Sequence, residues 1–303
     1  MSNFNRPKYL TALAFTLLVL CSAHIFGQNA LKSKCVEEDY EAQIIEANRG
    51  IKFSSYNIKA YLARGAAYLG LIRYEEALRD FNRALEINPR SEEAFLLRGY
   101  LFADRANYDQ SIADFSIVIE INPENADAYY LRGRSYSYKN EDDLAMADFE
   151  KAILLNNNFA LAYYGRGAQR QKLNMRMEAA NDYSKVTEIV GREIELNSDG
   201  CQYSEYVVRG TAHINLNNFR QAFNDYTKSI EIKQTESAYY FRGQLNFRNK
   251  NYKAAVADFT RAIELNAQFA ESYKERAAPF EKLNEKNKAE TDLLKYFELS
   301  RTK

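Results

Sequence analysis

From Ile58 onward the chain repeats one sentence at a spacing of 34 residues. A fixed period of that length restricts the fold more than any other feature, because each unit is then one supersecondary piece that must bury its apolar face against its neighbours. The stretch Tyr61 to Asn88, YLARGAAYLGLIRYEEALRDFNRALEIN, sets the pattern: two amphipathic helices joined at Leu71-Ile72-Arg73. With Ile58 as position 1, position 4 is aromatic seven times, at Tyr61, Phe95, Tyr129, Tyr163, Tyr206, Tyr239 and Tyr273. Position 8 is Gly65, Gly99, Gly133, Gly167, Gly210 and Gly243, then Ala277. Position 20 stays small, from Ala77 to Ala289, and position 24 is large, from Phe81 to Leu293. Gly inside a helix costs about 0.5–1 kcal/mol relative to Ala. Accepting that cost six times in register implies a helix crossing with no room for a side chain.

These columns resemble the tetratricopeptide repeat family, whose pattern places an aromatic at 4, Gly at 8, Ala at 20 and Phe at 24. The resemblance implies an all-α fold, an α-α solenoid coiled as a right-handed superhelix. About seven units are expected: 58–91, 92–125, 126–159, 160–202, 203–235, 236–269 and 270–303. Residues 29–57 read as a degenerate N-terminal capping segment, with a helix from Glu37 to Arg49. Ile44, Ile45, Ala47 and Ile51 are placed to cover the first full repeat. The fourth unit carries seven extra residues, close to two helical turns, and so predicts a longer second helix and an elbow at Val190 to Gln202. In the last unit Pro279 is expected to interrupt the first helix, and dense charge suits a polar closing cap.

Two further columns are private to this sequence. Position 7 is Arg in every unit, from Arg64 to Arg276, and position 23 is Asp in every unit, from Asp80 to Asp292. Seven arginines in register could form a ladder of forks for an anionic ligand. An Asp in every unit favours the alternative, in which each buried charge has its partner inside the array.

Charge and composition narrow the function. Lys+Arg and Asp+Glu balance at 41 each, so no basic stripe exists for nucleic acid. Residues 1–28 combine Arg6 and Lys8, an apolar run from Tyr9 to Leu20, and small residues before Gln28, which reads as a secretory signal peptide. The expected location is therefore outside the cytoplasm, in a periplasm or cell envelope. No Asn lies in an N-x-[ST] sequon, which leans towards a bacterial envelope. Membrane association is expected only if Cys21 is lipidated or the signal stays uncleaved. Cys35 and Cys201 read as two independent thiols.

Catalytic groups are scarce. Beyond the signal a single histidine remains, His213, in the aromatic position 11, and it reads as a core residue. No His/Cys spacing suits a metal and no Gly-rich loop cradles phosphate, so neither a cofactor nor an enzyme is expected. Function then rests on surface recognition of a protein or peptide, as a non-catalytic scaffold. A lipid-anchored assembly factor and a non-catalytic subunit of an envelope enzyme are the alternatives. The family resemblance implies that positions 2, 5, 9, 12 and 13 line a concave groove. Those columns nominate Tyr100, Tyr130, Arg134, Tyr138, Tyr164, Tyr240, Gln244, Phe247 and Arg248 as partner-binding residues. The Lys/Asn/Arg clamp that some such modules use for a C-terminal carboxylate is missing, since matching positions hold Leu62, Ala66, Leu97, Asp127 and Leu131.

Overall fold

A computed structural model of the chain describes residues 40–196 and 200–301. Among the described residues there are fifteen helices and no strand. A lone helix α1 (Tyr40–Phe53) is followed by pairs: α2 (Ile58–Gly70) with α3 (Tyr74–Ile87), α4 (Glu92–Asp104) with α5 (Tyr108–Ile121), and α6 (Ala126–Tyr138) with α7 (Asp142–Leu155). Then come α8 (Ala160–Lys172) and α9 (Arg176–Leu196), α10 (Tyr203–Asn215) and α11 (Phe219–Ile232), α12 (Glu236–Arg248) and α13 (Tyr252–Leu265), and α14 (Ala270–Lys282) and α15 (Lys286–Arg301). The chain divides into two compact units, one ending at Asp182 and the other starting at Tyr183. Within each unit every helix packs on its sequential neighbours, as expected of a solenoid whose repeats touch only the next repeat.

The close crossing inside each pair explains the glycine column. A Cβ on Gly65 would lie 2.6 Å from the Phe81 ring, and one on Gly243 would lie 2.9 Å from Phe259. The position-24 ring fills the space a side chain would need. Phe81, Phe115 and Phe259 are completely buried as a result.

Beside that crossing runs the charge ladder. In all seven pairs the Arg at position 7 grips the Asp at position 23 with both ends of its fork: Nη2 donates to Oδ1 at 2.6–2.9 Å and Nε donates to Oδ2 at 2.8–3.1 Å. The position-4 aromatic of the same helix lies 5.3–5.8 Å from each guanidinium, within cation–π range. The remaining Nη1 reaches back one repeat where position 25 offers an acceptor. Arg64 meets Asn48, Arg98 meets Asn82, Arg132 meets Ser116, and Arg276 meets Thr260. One side chain therefore ties three helices, and the anion-ladder reading falls away.

The turn inside each pair was placed from the sequence, but its backbone conformation was not. Position 15 adopts positive φ near 60° in all seven units, at Ile72, Ala106, Asn140, Asn174, Asn217, Lys250 and Asn284. Four of the seven are Asn, which tolerates that region, while Ile72 is β-branched and pays with strain. The turn between units also has a side-chain mechanism. Asn88, Asn122, Asn156 and Asn266 each accept, through Oδ1, a backbone N–H two residues on.

Several expectations need correcting. Among the described residues the capping helix covers Tyr40–Phe53, running past the expected end at Arg49, while Glu37 to Asp39 lie outside them. It buries Ile44 and Ala47, but Ile45 is exposed, because it falls on the opposite side of the helix from the Tyr40 ring that lies against Gly70. α9 has 21 residues where the other second helices up to α13 have 14, the seven-residue extension expected. Helix α14 does not stop at Pro279, which is buried within it, and the ladder resumes with Leu283 N–H donating to Pro279 O at 3.0 Å. The closing helix is not wholly polar, since Leu294 and Phe297 are exposed. Cys201 is disulfide-bonded, so the reading of two independent thiols does not hold. The proposed signal peptide, Cys21 and Cys35 lie outside the described residues.

Two measurements follow from the ladder and the turn. The Arg132 side chain is 19% exposed and that of Asp148 only 8%, so Arg132→Met strands a buried carboxylate and should destabilise by about 3 kcal/mol in denaturant unfolding. Adding Asp148→Leu should recover part of that loss, and a double variant no better than the single would refute the pairing argument. Ile72→Asn should raise the melting temperature, by up to about 1 kcal/mol in stability, because it relieves left-handed strain without touching the core.

Candidate functional site

The faces in question belong to the first helix of each pair, where positions 2, 5 and 9 fall on one side at i, i+3 and i+7. In the unit ending at Asp182 these are Lys59, Leu62 and Ala66 on α2, Glu93, Leu96 and Tyr100 on α4, Asp127, Tyr130 and Arg134 on α6, and Leu161, Tyr164 and Ala168 on α8. The second unit presents Ser204, Val207 and Thr211 on α10 and Ser237, Tyr240 and Gln244 on α12.

The structure sorts the nominated residues into two groups. Tyr100, Tyr130, Tyr164 and Tyr240 are buried, so their rings belong to the core and are not a free aromatic stripe. Tyr130 packs edge-on to Phe159 at 5.2 Å and against Phe149 at 6.1 Å. Tyr240 meets Phe241, Phe259 and Phe269 at 5.0–6.0 Å. Position 5 sits on the border between core and groove, and a ring large enough to reach either goes where it displaces more water. The others lie at the surface but are engaged. Arg134 sits over the Tyr130 ring at 5.7 Å, and Gln244 Nε2 donates to Tyr240 Oη at 3.0 Å. Tyr138 stacks on Tyr108 of the preceding pair at 5.1 Å, and Arg248 covers the Phe219 ring at 3.6 Å. Phe247 tilts against Tyr252 at 5.7 Å. Position 13 is thus a between-repeat contact, joined to position 17 of the preceding pair.

What sequence reasoning did not single out are the individual residues of position 2. Lys59 and Glu93 are exposed and Asp127 is half-buried. Adjacent Glu92 and Glu93 have opposite fates. Glu92 Oε1 accepts from Asn122 Nδ2 at 3.1 Å and Asn125 Nδ2 at 2.7 Å, which leaves it a structural bridge to the next pair. Glu93 has no such bridge, and loss of surrounding water raises its pKa, partly opposed by Lys59. The column was named as groove-lining, but no sequence signal separated Glu93 from an ordinary first-turn acid.

Position 11 carries the remaining polar chemistry. Where it is aromatic, the ring flanks the ladder arginine, as Tyr68, Phe102, Tyr136 and Phe280 do at 5.6–5.9 Å. Where it is polar, it turns to the ladder aspartate: Arg170 donates to Asp182 and Asn246 to Asp258, both at 2.8 Å. His213 takes the same slot, but its Nε2 stops 3.9 Å from Asp225, and its buried Nδ1 has no partner. Among the described residues no group of His, Cys, Asp and Glu could hold a metal ion, and no helix is long and apolar enough to cross a membrane.

Stacked helix pairs with small residues at the crossing define a helical-repeat fold, of the kind typical of protein–protein interaction. Four of the units match the tetratricopeptide repeat family, over residues 58–91, 126–159, 206–236 and 236–269. No curated protein matches the chain in sequence. The crystal structure of the APC/C hetero-tetramer Cut9-Hcn1 is similar in fold, with a TM-score of 0.62 at 16% identity. That match covers 97% of this chain, which spans about half, 54%, of the other. A tetratricopeptide repeat protein from Parabacteroides merdae gives a TM-score of 0.60 at 16% identity, covering 88% of this chain and 99% of that one. At such identities the likeness concerns fold alone.

His213 supplies a pH test. Burial holds its pKa below the ordinary 6.5, with Asp225 pulling upward and Arg209 pushing downward. Between that lower value and 6.5 the unfolded chain binds more protons than the folded one, so stability is full above 6.5 and is lost as pH falls through this window. His213→Phe, which restores the aromatic found at Phe102, should flatten that part of the curve. Equal acid sensitivity of the two proteins would show that His213 is not the group responsible.

Proposed function

We propose that this chain is a non-catalytic scaffold that binds an extended peptide or partner helix on the inner faces of its first helices, outside the cytoplasm in the cell envelope. Tetratricopeptide repeats are a protein-binding fold, which supports the general reading. The observation that carries the finer one is Glu93, an exposed carboxylate near Lys59 in the position-2 column that also holds Asp127, with Arg134 on the same face of the next first helix. Mixed charges on a rigid surface orient a ligand more than they add raw affinity. The buried tyrosines beneath hold those charges in place. Export is supported by the signal-like residues 1–28 and by the disulfide at Cys201, since disulfides persist in oxidising compartments.

The test is crosslinking capture from the native envelope with variants that leave the core alone. Glu93→Lys with Arg134→Glu should lower recovery of the crosslinked partner by roughly tenfold, about 1.4 kcal/mol, without changing the melting temperature. Deleting residues 191–197 is the control for binding at the elbow. Capture abolished by the deletion and untouched by the charge variants would move the site to the elbow. Finding the protein in the cytoplasmic fraction with its first 28 residues intact would remove the envelope assignment.

A further inference from the structure

In the inner repeats the second helix presents three columns to the pair that follows. Position 21 is apolar and half-buried, as at Leu78, Ile112 and Val256. Position 25 supplies the acceptor for the next arginine, as Asn82, Ser116 and Thr260 do. Position 28 is apolar, as at Leu85. On α15 the first two columns are inverted. Glu290 stands where others are apolar, and Leu294 stands where others accept a hydrogen bond. Leu294 is 71% exposed and Phe297 at position 28 is 54% exposed. Another repeat of this kind would bring an arginine against Leu294 and an apolar surface against Glu290, so this face is built for something else.

Glu290, Leu294, Phe297 and Arg301 follow at i, i+4, i+7 and i+11, which places all four within about 60° on one side of the helix at 100° per residue. All four are exposed, and neither Glu290 nor Arg301 makes an ion pair among the described residues. The stripe reads acid, apolar, apolar, base, and it is its own complement when reversed. With a two-fold axis passing between Lys295 and Tyr296, Leu294 meets Phe297 of a second copy, and Glu290 meets Arg301 of that copy at both ends.

We propose that α15 is a homodimerisation helix, pairing antiparallel with α15 of a second copy of this chain. One helix stripe is a small interface, so the association is reversible and concentration-dependent. Two-fold pairing is isologous and closes at two chains, without forming a fibre.

Sedimentation of the full chain over a concentration series, with and without reductant, tests the proposal. A monomer–dimer equilibrium insensitive to reductant is expected. Glu290→Lys alone and Arg301→Glu alone each set like charges against each other twice, and each should raise the dissociation constant by roughly tenfold. An equal mixture of these two single variants should restore dimers, because each then meets its opposite charge at both ends. The double variant should also dimerise. Leu294→Asp should abolish the dimer, and melting curves of all variants should match the parent at concentrations where the parent is monomeric, because the residues are exposed. A chain that stays monomeric throughout, a dimer lost on reduction, or single variants whose mixture does no better than either alone would each overturn the assignment. So would a Leu294→Asp variant that still dimerises, or one that loses capture of a different protein from the envelope while the parent is monomeric.

Discussion

The two-pronged bond between Arg at position 7 and Asp at position 23 is the interaction on which each repeat depends. A carboxylate buried to the degree of Asp182, with 3% of its side chain exposed, is tolerable only with a matched cation. The Arg fork offers two parallel donors at fixed spacing, and Lys could not replace it. Because the guanidinium also lies beside the position-4 ring and reaches back to position 25, its geometry is fixed from three sides. Hydrogen bonding to Asp148 pushes the Arg132 pKa further up, so the guanidinium keeps its charge and its two donors. A buried ion pair of this kind contributes less to net stability than an apolar pair could. Its effect here is register: a helix pair slid by one residue would strand both charges.

That register decides what the surface can do. Once the seven arginines are committed inward they are not available to read an anion, and on the proposed function recognition falls to polar residues at the edges of the first helices. The buried tyrosines at position 5 then act as a floor that holds positions 2 and 9 apart at the fixed spacing of a helix face. A stiff frame of this type binds with little ordering of its own, so the affinity available from a few polar tips is not spent on organising them.

The repeat unit was legible from the sequence because its constraints recur. Gly at 8, the aromatic at 4 and the Arg/Asp columns appear at fixed intervals, and each repetition removes a competing explanation. Position 15 escaped notice because the left-handed turn accepts Asn140 and Lys250 alike, and Ile72 gives no hint of it. The nominated tyrosines were in the right column, yet periodicity cannot say which side of a border position a ring takes. Tyr130 packs against two aromatic rings only because Phe149 comes from α7 and Phe159 from the cap of α8. Pro279 shows the same limit: it deletes one backbone donor, but the packing of Phe280 and Ala277 holds the helix across the gap.

The position-11 column shows how one structural device can be reused. The site lies beside the ladder pair, where an aromatic ring supports the cation and a polar donor supports the anion. Either keeps the fork aligned, so the column drifts between Tyr136, Arg170, His213 and Asn246 without loss of the repeat. The alternatives differ in charge. At Asp182 two arginines share one carboxylate, at Asp258 the added donor is neutral, and at Asp225 the added group can change its charge with pH. A repeat that is mechanically the same in every copy is therefore electrostatically distinct in the three units where position 11 is Arg170, His213 or Asn246, and those distinctions lie on the first helices, which the proposed function assigns to partner reading. Identity along the array is written by small changes beside an invariant ion pair, not by changes to the pair itself.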